Sequence, residues 1–333
     1  MLEKVKKFIA PNIRELGILG IIFLIVIFVN IRSRGNFLTP ANISDMFTES
    51  SILVIMTMGI MMVIITGGID LSVGAMMALG GMVAVTVLKN NMDTHPLFII
   101  LISVAVGLLA GLLNGCFVAY FKILPLIATL GTMNIYRGST YMVSGGSWVL
   151  QQNMSKSFMN VATGKIFGIN NMIIIAAAVV AVTYFYMNRY RAGRQIYAVG
   201  NSEEAAAVSG INTKRVKLTA YAILGGLSGL GGVLYVCKYA AAQGETAQGI
   251  EMSVIAACVL GGVAITGGRG KVFGALLGAI LLGILNNALP LLRVSPFWQE
   301  AVRGMIILIS IIANVIVSRR IMDKALERRT AER

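Results

Sequence analysis

The sequence predicts an all-α integral membrane protein of about ten transmembrane helices, with broken helices near a pathway and both termini cytoplasmic. Three observations carry this expectation. Apolar runs of about 20 residues, the length a helix needs to cross a bilayer, recur along the chain. Hydrophobic residues make up 57% of its 333 positions and charged residues only 13%, with a mean hydropathy of +0.81. The basic residues, which give a net charge of +14, sit between the apolar runs and at the ends. That placement matches retention at the cytoplasmic face and argues against nucleic acid as a partner. A single transmembrane domain, residues 1–333, is expected, with a cytoplasmic loop at 188–217 and a basic cytoplasmic tail at 318–333.

The elements follow in order. MLEKVKKFIAPNIRELG is basic, leads into an apolar run and has no small-residue cleavage site, so Leu16 to Ile31 reads as a retained first span. Residues 32–49 cross to the outside, with NFLTPANISDMF as a surface-lying amphipathic piece. Ser51–Thr66 and Leu71–Leu88 are spans joined by GGID, and Pro96–Ala119 returns to Lys122. Leu124–Val143 is interrupted by glycines and carries Arg137; residues 144–170 form a polar outer loop. Asn171–Met187 leads into the basic insert, and Leu218–Val236 leaves it. Ile250–Thr266 runs inward to Arg269 and Lys271, Val272–Leu285 runs outward, and Phe297–Val317 comes in to the tail SRRIMDKALERR. This threading puts nineteen of the 28 lysines and arginines inside, which suits an even number of spans. An eight-span threading, with the short second or ninth helices merged into re-entrant pairs, meets the same count.

The insert at 188–217 opens with Arg189, Arg191 and Arg194 and closes with Lys214, Arg215 and Lys217. Between them, Asn201 to Gly210 has the marks of a small helix. Asn201 caps, Glu204 three residues on reaches back, and Gly210 ends it in a left-handed turn. A helix of roughly eight residues is marginal alone in water, so a partner outside the membrane is expected to hold it.

Enzyme constellations are missing. His95 is the only histidine, and Cys116, Cys237 and Cys258 have no metal-ligand or disulfide spacing. TGGRGKV lacks the upstream glycine of a phosphate loop and has Val272 where Ser or Thr would hold magnesium, so the chain is not expected to hydrolyse ATP. Asp70, in ITGGIDLSVG, is a carboxylate between two apolar runs. It either caps the helix that follows Gly67 and Gly68 or, with Ser72, lines a polar path. Arg137 either pairs with a carboxylate or reaches the outer interface. Glycines at spacing four (Gly107, Gly111, Gly115; Gly225, Gly229; Gly274, Gly278) point to close helix packing, and the methionines at 56, 58, 61, 62, 76 and 77 to adaptable core. Asn286, Asn287 and Trp298 suit an interfacial anchor or a docking site. VIITGGIDLSVGA from Val63 and VAITGGRGKVFGA from Val263 echo each other where an inward span turns back.

ITGGIDLSVGAMMALGG (65–81), GRQIYAVGNSEEAAAVSGI (193–211) and IEMSVIAACVLGGVAITGGRGKVFGALLGAILLGILNN (250–287) together resemble the permease subunits of bacterial sugar-importing ABC transporters of the ribose, galactose and autoinducer-2 type. PLIATLGTMNIYRG (125–138) and FLTPANI (37–43) support the match over nearly the whole chain. LPLLRVSPFW and IEMSVIAACVLGG lean toward the autoinducer-2 and rhamnose branch.

The resemblance implies a multi-pass protein of the bacterial inner (plasma) membrane, two permeases side by side as a homodimer or with a paralogue, and cytoplasmic ATPase subunits that use ATP and magnesium. A periplasmic or lipid-anchored sugar-binding protein delivers the cargo. No cofactor is expected in this chain, and lipid surrounds it. Gly200, Asn201, Ser202, Glu203, Glu204, Ala205, Ala206, Ala207, Ser209 and Gly210 are then the ATPase-coupling segment, with Glu203, Glu204 and Ala205–Ala207 as its contact face. Gly67, Gly68, Asp70 and Ser72, with Thr129 and Asn134, are the expected pathway residues. An ion-coupled secondary transporter is the main alternative, with Asp70, Arg137, Glu300 and Arg303 as relay groups. A membrane-embedded enzyme lacks a clustered catalytic set, and the resemblance to importers disfavours an exporter.

Overall fold

The computed structural model of the chain describes residues 2–299 together with residues 301, 302, 304, 305, 308 and 312. Helices dominate it: α1 Leu2–Arg32, α2 Pro40–Ile65, α3 Val73–Asn90, α4 Pro96–Ala119, α5 Pro125–Ser144 and α6 Lys156–Thr163. They continue as α7 Asn171–Arg189, α8 Arg191–Asn201, α9 Glu203–Val208, α10 Thr213–Tyr239, α11 Ile250–Leu260 and α12 Val272–Leu291. Two short antiparallel ribbons pair Val149–Leu150 with Ala241–Ala242 and Lys165–Ile166 with Ile169–Asn170. Among the described residues, α1, α2, α3, α4, α7, α10 and α12 are long and apolar enough to cross a membrane. The chain is an all-α, multi-pass membrane protein. α5 is long enough at 20 residues but too polar to join that set, and α11, with 11 residues, is too short. The expected last span, Phe297–Val317, lies largely outside the described residues, with Glu300 and Arg303, and the tail 318–333 lies wholly outside them.

α2 is the axis of the bundle. Every residue from Ser50 to Ile65 is buried, whereas α1 leaves Phe23, Leu24 and Phe28 about two-thirds exposed, as a lipid-facing helix does. The methionines at 56, 58, 61, 62, 76 and 77 all lie in the core around α2. α2 also begins earlier than the sequence suggests. Residues 32–49 are shared between the end of α1, a short turn and the first turns of α2, and no separate surface piece forms. Pro40 punctuates the sequence, but at the first helical turn it starts a helix, with Thr39 accepting from the Asn42 amide at 3.4 Å.

The closest seam joins α4 and α10. A Cβ added to Gly107 would collide with the Gly225 carbonyl, one added to Gly111 with the Tyr221 carbonyl, and Ser103 Oγ donates to the Gly229 carbonyl at 2.7 Å. Glycines at spacing four therefore act as expected, letting two backbones meet. Gly274 and Gly278 do the same for α12 against Gly261 and Ala257 of the α11 end. Asn287 on α12 and Asn42 on α2 exchange side-chain hydrogen bonds at 3.0 and 3.2 Å, so Asn287 pins helices together. The cysteines are free thiols, and His95 caps α4 by accepting from the Leu97 amide.

Candidate functional site

The basic insert folds as two helices. α8 is amphipathic: Gly193, Ile196 and Val199 are buried while Arg191 and Arg194 face out. α9 then projects from the bundle. Its cap is Ser202, whose Oγ accepts from the Ala205 amide at 3.2 Å. Asn201, expected as the cap, is the last residue of α8, so the reciprocal cap with Glu204 does not form. The C-terminal end is as expected: Gly210 has φ +80°, its amide donates to Ala207 and the Ile211 amide donates to Ala206, each at 3.0 Å. Lys217 Nζ donates to Glu203 Oε2 at 2.6 Å. Partial burial works against ionisation of Glu203, but this bond and the lysine's charge outweigh it and hold the carboxyl below its ordinary value.

Of the expected contact run, Glu203, Glu204, Ala205 and Ala207 face outward, and Val208 is 91% exposed. Ala206 is the exception: it is 5% exposed and turned into its own bundle. Beside α9 a cleft of about 720 Å³ is lined by Gly67, Lys122, Pro125, Glu203, Glu204 and Lys217 among others.

The two ITGG turns and the end of α8 meet at one point. The Gly268 amide donates to the Ile65 carbonyl at 2.9 Å, joining one echo of the motif to the other. Gly200 packs on that same carbonyl so closely that a Cβ would collide with it, and Gly267 and Gly268 crowd around Gly200 and Asn201. Tyr197 on α8 donates to the Gly270 carbonyl at 3.0 Å. Gly67 and Gly267 both take the left-handed conformation, φ +82° and +85°, which the sharp reversals require.

Beyond the first turn lies a closed polar cluster. Asp70 Oδ1 accepts from the Ser72 amide at 2.7 Å and its hydroxyl at 2.6 Å, and Oδ2 accepts from Asn114 Nδ2 at 2.9 Å. Asn114 Nδ2 also donates to Ser72 Oγ at 2.8 Å, and its Oδ1 accepts from the Tyr136 hydroxyl at 3.0 Å. Tyr221 donates to the Ile69 carbonyl at 3.2 Å. Asp70, Ser72 and Asn114 are fully buried. Both oxygens of this carboxyl group are met by donors, as a polar group enclosed in a membrane bundle requires.

The pathway candidates thus divide. Gly68, Asp70, Ser72 and Thr129 are buried, with Thr129 Oγ1 accepting from the Leu71 amide at 3.2 Å, whereas Gly67 and Asn134 lie at the surface. Asn134 belongs to an exposed face of α5 that includes Ile127, Gly131 and Gly138. Arg137 takes a third course: its Nη1 donates to the carbonyls of Gly244 and Thr246 at 2.9 and 2.6 Å, stapling the α10–α11 loop. Sequence reasoning missed Asn114, Tyr136, Tyr197 and Tyr221. Only Asn114 left a signal, as a lone amide in the apolar run of α4.

A bundle of apolar helices, interrupted by enclosed glycine breaks and bearing an exposed capped helix at its basic end, defines a multi-pass membrane permease. The chain belongs to the family described as the permease component of branched-chain amino acid transport systems, which matches residues 42–311. It is similar to the ribose import permease protein RbsC of Bacillus subtilis, 35% identical over 88% of this chain and 90% of that protein. The D-allose transport system permease protein AlsC of Escherichia coli is 35% identical over 90% and 92%. The galactose/methyl galactoside import permease protein MglC of Salmonella typhimurium is 33% identical over 92% and 95%. No solved structure matches. The chain is a permease subunit rather than an enzyme.

Proposed function

We propose that this chain forms the membrane pathway of an ATP-driven, binding-protein-dependent sugar importer in the bacterial inner membrane. Ten spans and cytoplasmic termini complete the reading: α5, α11 and the expected Phe297–Val317 join the seven long apolar helices, and the charge distribution supports the inside face. The sugars are carried over from the relatives, all named for sugar import or transport; the family description names branched-chain amino acids instead, so both cargo classes belong in the test. ATP and magnesium act in the partner ATPase, a second copy or a paralogue completes the pathway, and the whole chain is one domain.

The observation that carries the reading is α9. A six-residue helix that presents Glu203, Glu204, Ala205, Ala207 and a 91% exposed Val208 has no reason to stand out from its bundle unless a partner covers it. Docking there on the ATPase delivers nucleotide-driven closure to the glycine turns behind it. The exposed α5 face with Asn134 and Gly131 suits the wall shared with the second permease, and Gly67 the inner mouth. Asp70, Ser72 and Thr129 then shape the path from behind.

The test uses the complete transporter in proteoliposomes. Glu204→Lys with Gly210→Val should leave the membrane helices folded and cut sugar uptake and delivery-protein-stimulated ATP hydrolysis by about tenfold or more, the loss expected from one interface anchor. Normal stimulated hydrolysis in that variant refutes the docking role. Uptake driven by an ion gradient without ATP would establish the secondary-transporter alternative, and uptake of leucine over ribose, allose and galactose would move the cargo class.

A further inference from the structure

We propose that the three-glycine junction and the buried Asp70–Asn114–Tyr136 chain form one transmission route, which repositions the exposed face of α5 when α9 moves. This rests on the reading of α9 as the docking helix. The route starts where α8 and α9 join: the Ser202 amide donates to Ala198 while its hydroxyl caps α9, so the two helices share a single residue. Gly200, one turn before α9, lies on the Ile65 carbonyl with space for hydrogen alone, and that carbonyl also holds the Gly268 amide. Tyr197 fixes the neighbouring face of α8 to Gly270. A shift of α8 therefore displaces both glycine turns.

From the first turn the contacts continue without a gap. Tyr221 grips the Ile69 carbonyl, Asp70 is held by Ser72 and Asn114, and the Tyr136 hydroxyl of α5 shares its proton between Asn114 Oδ1 at 3.0 Å and the Ala110 carbonyl at 2.8 Å, both on α4. Tyr136 is 4% exposed, yet Asn134, two residues earlier on the same helix, is on the open face. Each link is buried and fully hydrogen-bonded, so displacement at one end is not absorbed by empty space or by loose side chains. Closely packed elements of this kind switch between discrete arrangements rather than deform smoothly. Asp70 is in this view a positioning residue, and so are Asn114 and Tyr136.

The experiment measures sugar taken up per ATP hydrolysed, with ribose as probe, in proteoliposomes of the complete transporter. Tyr136→Phe keeps the ring and removes only the hydroxyl. It should lower sugar per ATP by about three- to tenfold, the scale of one buried hydrogen bond, while stimulated hydrolysis stays within about twofold. Tyr197→Phe, at the half-buried end of the route where folding is safest, should lower the same ratio. The double variant should fall no further than the worse single variant, because both cuts interrupt one path. An unchanged ratio in either single variant overturns the proposal, and so does a double variant that multiplies the two effects. Failure of the docking reading shows separately, as normal coupling in the α9 variant whatever these tyrosines do.

Discussion

The two ITGG turns carry the same four residues at the same kind of reversal, yet their surroundings are opposite. At the first, Thr66 is buried with its hydroxyl donating to Val63 at 2.7 Å, and the chain runs inward to a carboxylate with no exposed surface. At the second, Thr266 is exposed and the chain runs outward through Arg269 to Lys271, which pairs with Glu15 at 2.8 Å. Counting on from each motif, Asp70 occupies the place that Gly270 has in the other. A tyrosine hydroxyl holds each turn: Tyr221 on the Ile69 carbonyl, Tyr197 on the Gly270 carbonyl. The motif specifies the reversal, and burial decides what chemistry the next residues bear. A carboxyl group is kept in the enclosed turn because Ser72 and Asn114 meet its oxygens.

The largest expected effect breaks that asymmetry directly. Asp70→Ala leaves the Ser72 amide, the Ser72 hydroxyl proton and one proton of the Asn114 amide without their acceptor in a closed space, which should cost about 2–4 kcal/mol. It is read as a lowered unfolding midpoint of the detergent-purified protein. Gly270→Ala places a Cβ 3.2 Å from Ile65 Cδ1 and the Val263 methyls, all on buried side chains that must give by a few tenths of an ångström. It should cost about 1 kcal/mol, the low end for an added methyl in a packed core. Equal losses from the two changes would mean that the turns are equivalent after all.

The paired tyrosines sharpen the same contrast at smaller scale. Tyr221 is fully buried, with its hydroxyl close against Gly68, so Tyr221→Phe strands the Ile69 carbonyl and should cost about 1–2 kcal/mol. Tyr197 is half-buried, and water can replace its hydroxyl at Gly270, so the matching change should cost about 0.5 kcal/mol. Parallel melting curves decide it: a Tyr197 variant as unstable as the Tyr221 variant would place both turns in one interior.

Much of the bundle was legible because apolar runs and glycine spacing are local signals. The cores of α1, α3, α4, α7 and α10 follow from hydropathy, and the α4–α10 seam from Gly107, Gly111, Gly225 and Gly229. Gly210 ended α9 as turn chemistry requires. α8 was hidden because its buried face is only Gly193, Ile196 and Val199 amid arginines, too short a stripe to stand out from a polar insert. The cap shifted to Ser202 because α8 extends through Asn201. The echo of ITGG was visible, but that its two copies touch, with Gly200 between them, is a tertiary fact. Whether Asp70 is open or closed depends on Asn114 and Tyr136 in other helices, which its own neighbours in sequence do not reveal.

The smallest expected effect concerns the ion pairs that flank the turns. Glu203 and Lys217 sit at the rim of the cleft beside Gly67, with the carboxylate half exposed, so the pair should contribute only about 0.5 kcal/mol at low salt. Because the folded carboxyl titrates below its ordinary value, the contribution is complete above about pH 4.3, the unfolded value, and is lost as pH falls through the lowered folded value. Glu203→Gln should therefore lower the unfolding midpoint slightly at neutral pH, converge on the parent protein in acid, and become indistinguishable from it in about 1 M salt. Lys271→Gln at the second turn should show a similarly small salt-sensitive loss. A difference for Glu203→Gln that survives both acid and salt would tie this residue to the enclosed network, and the exposed rim of the first turn would then belong to its interior.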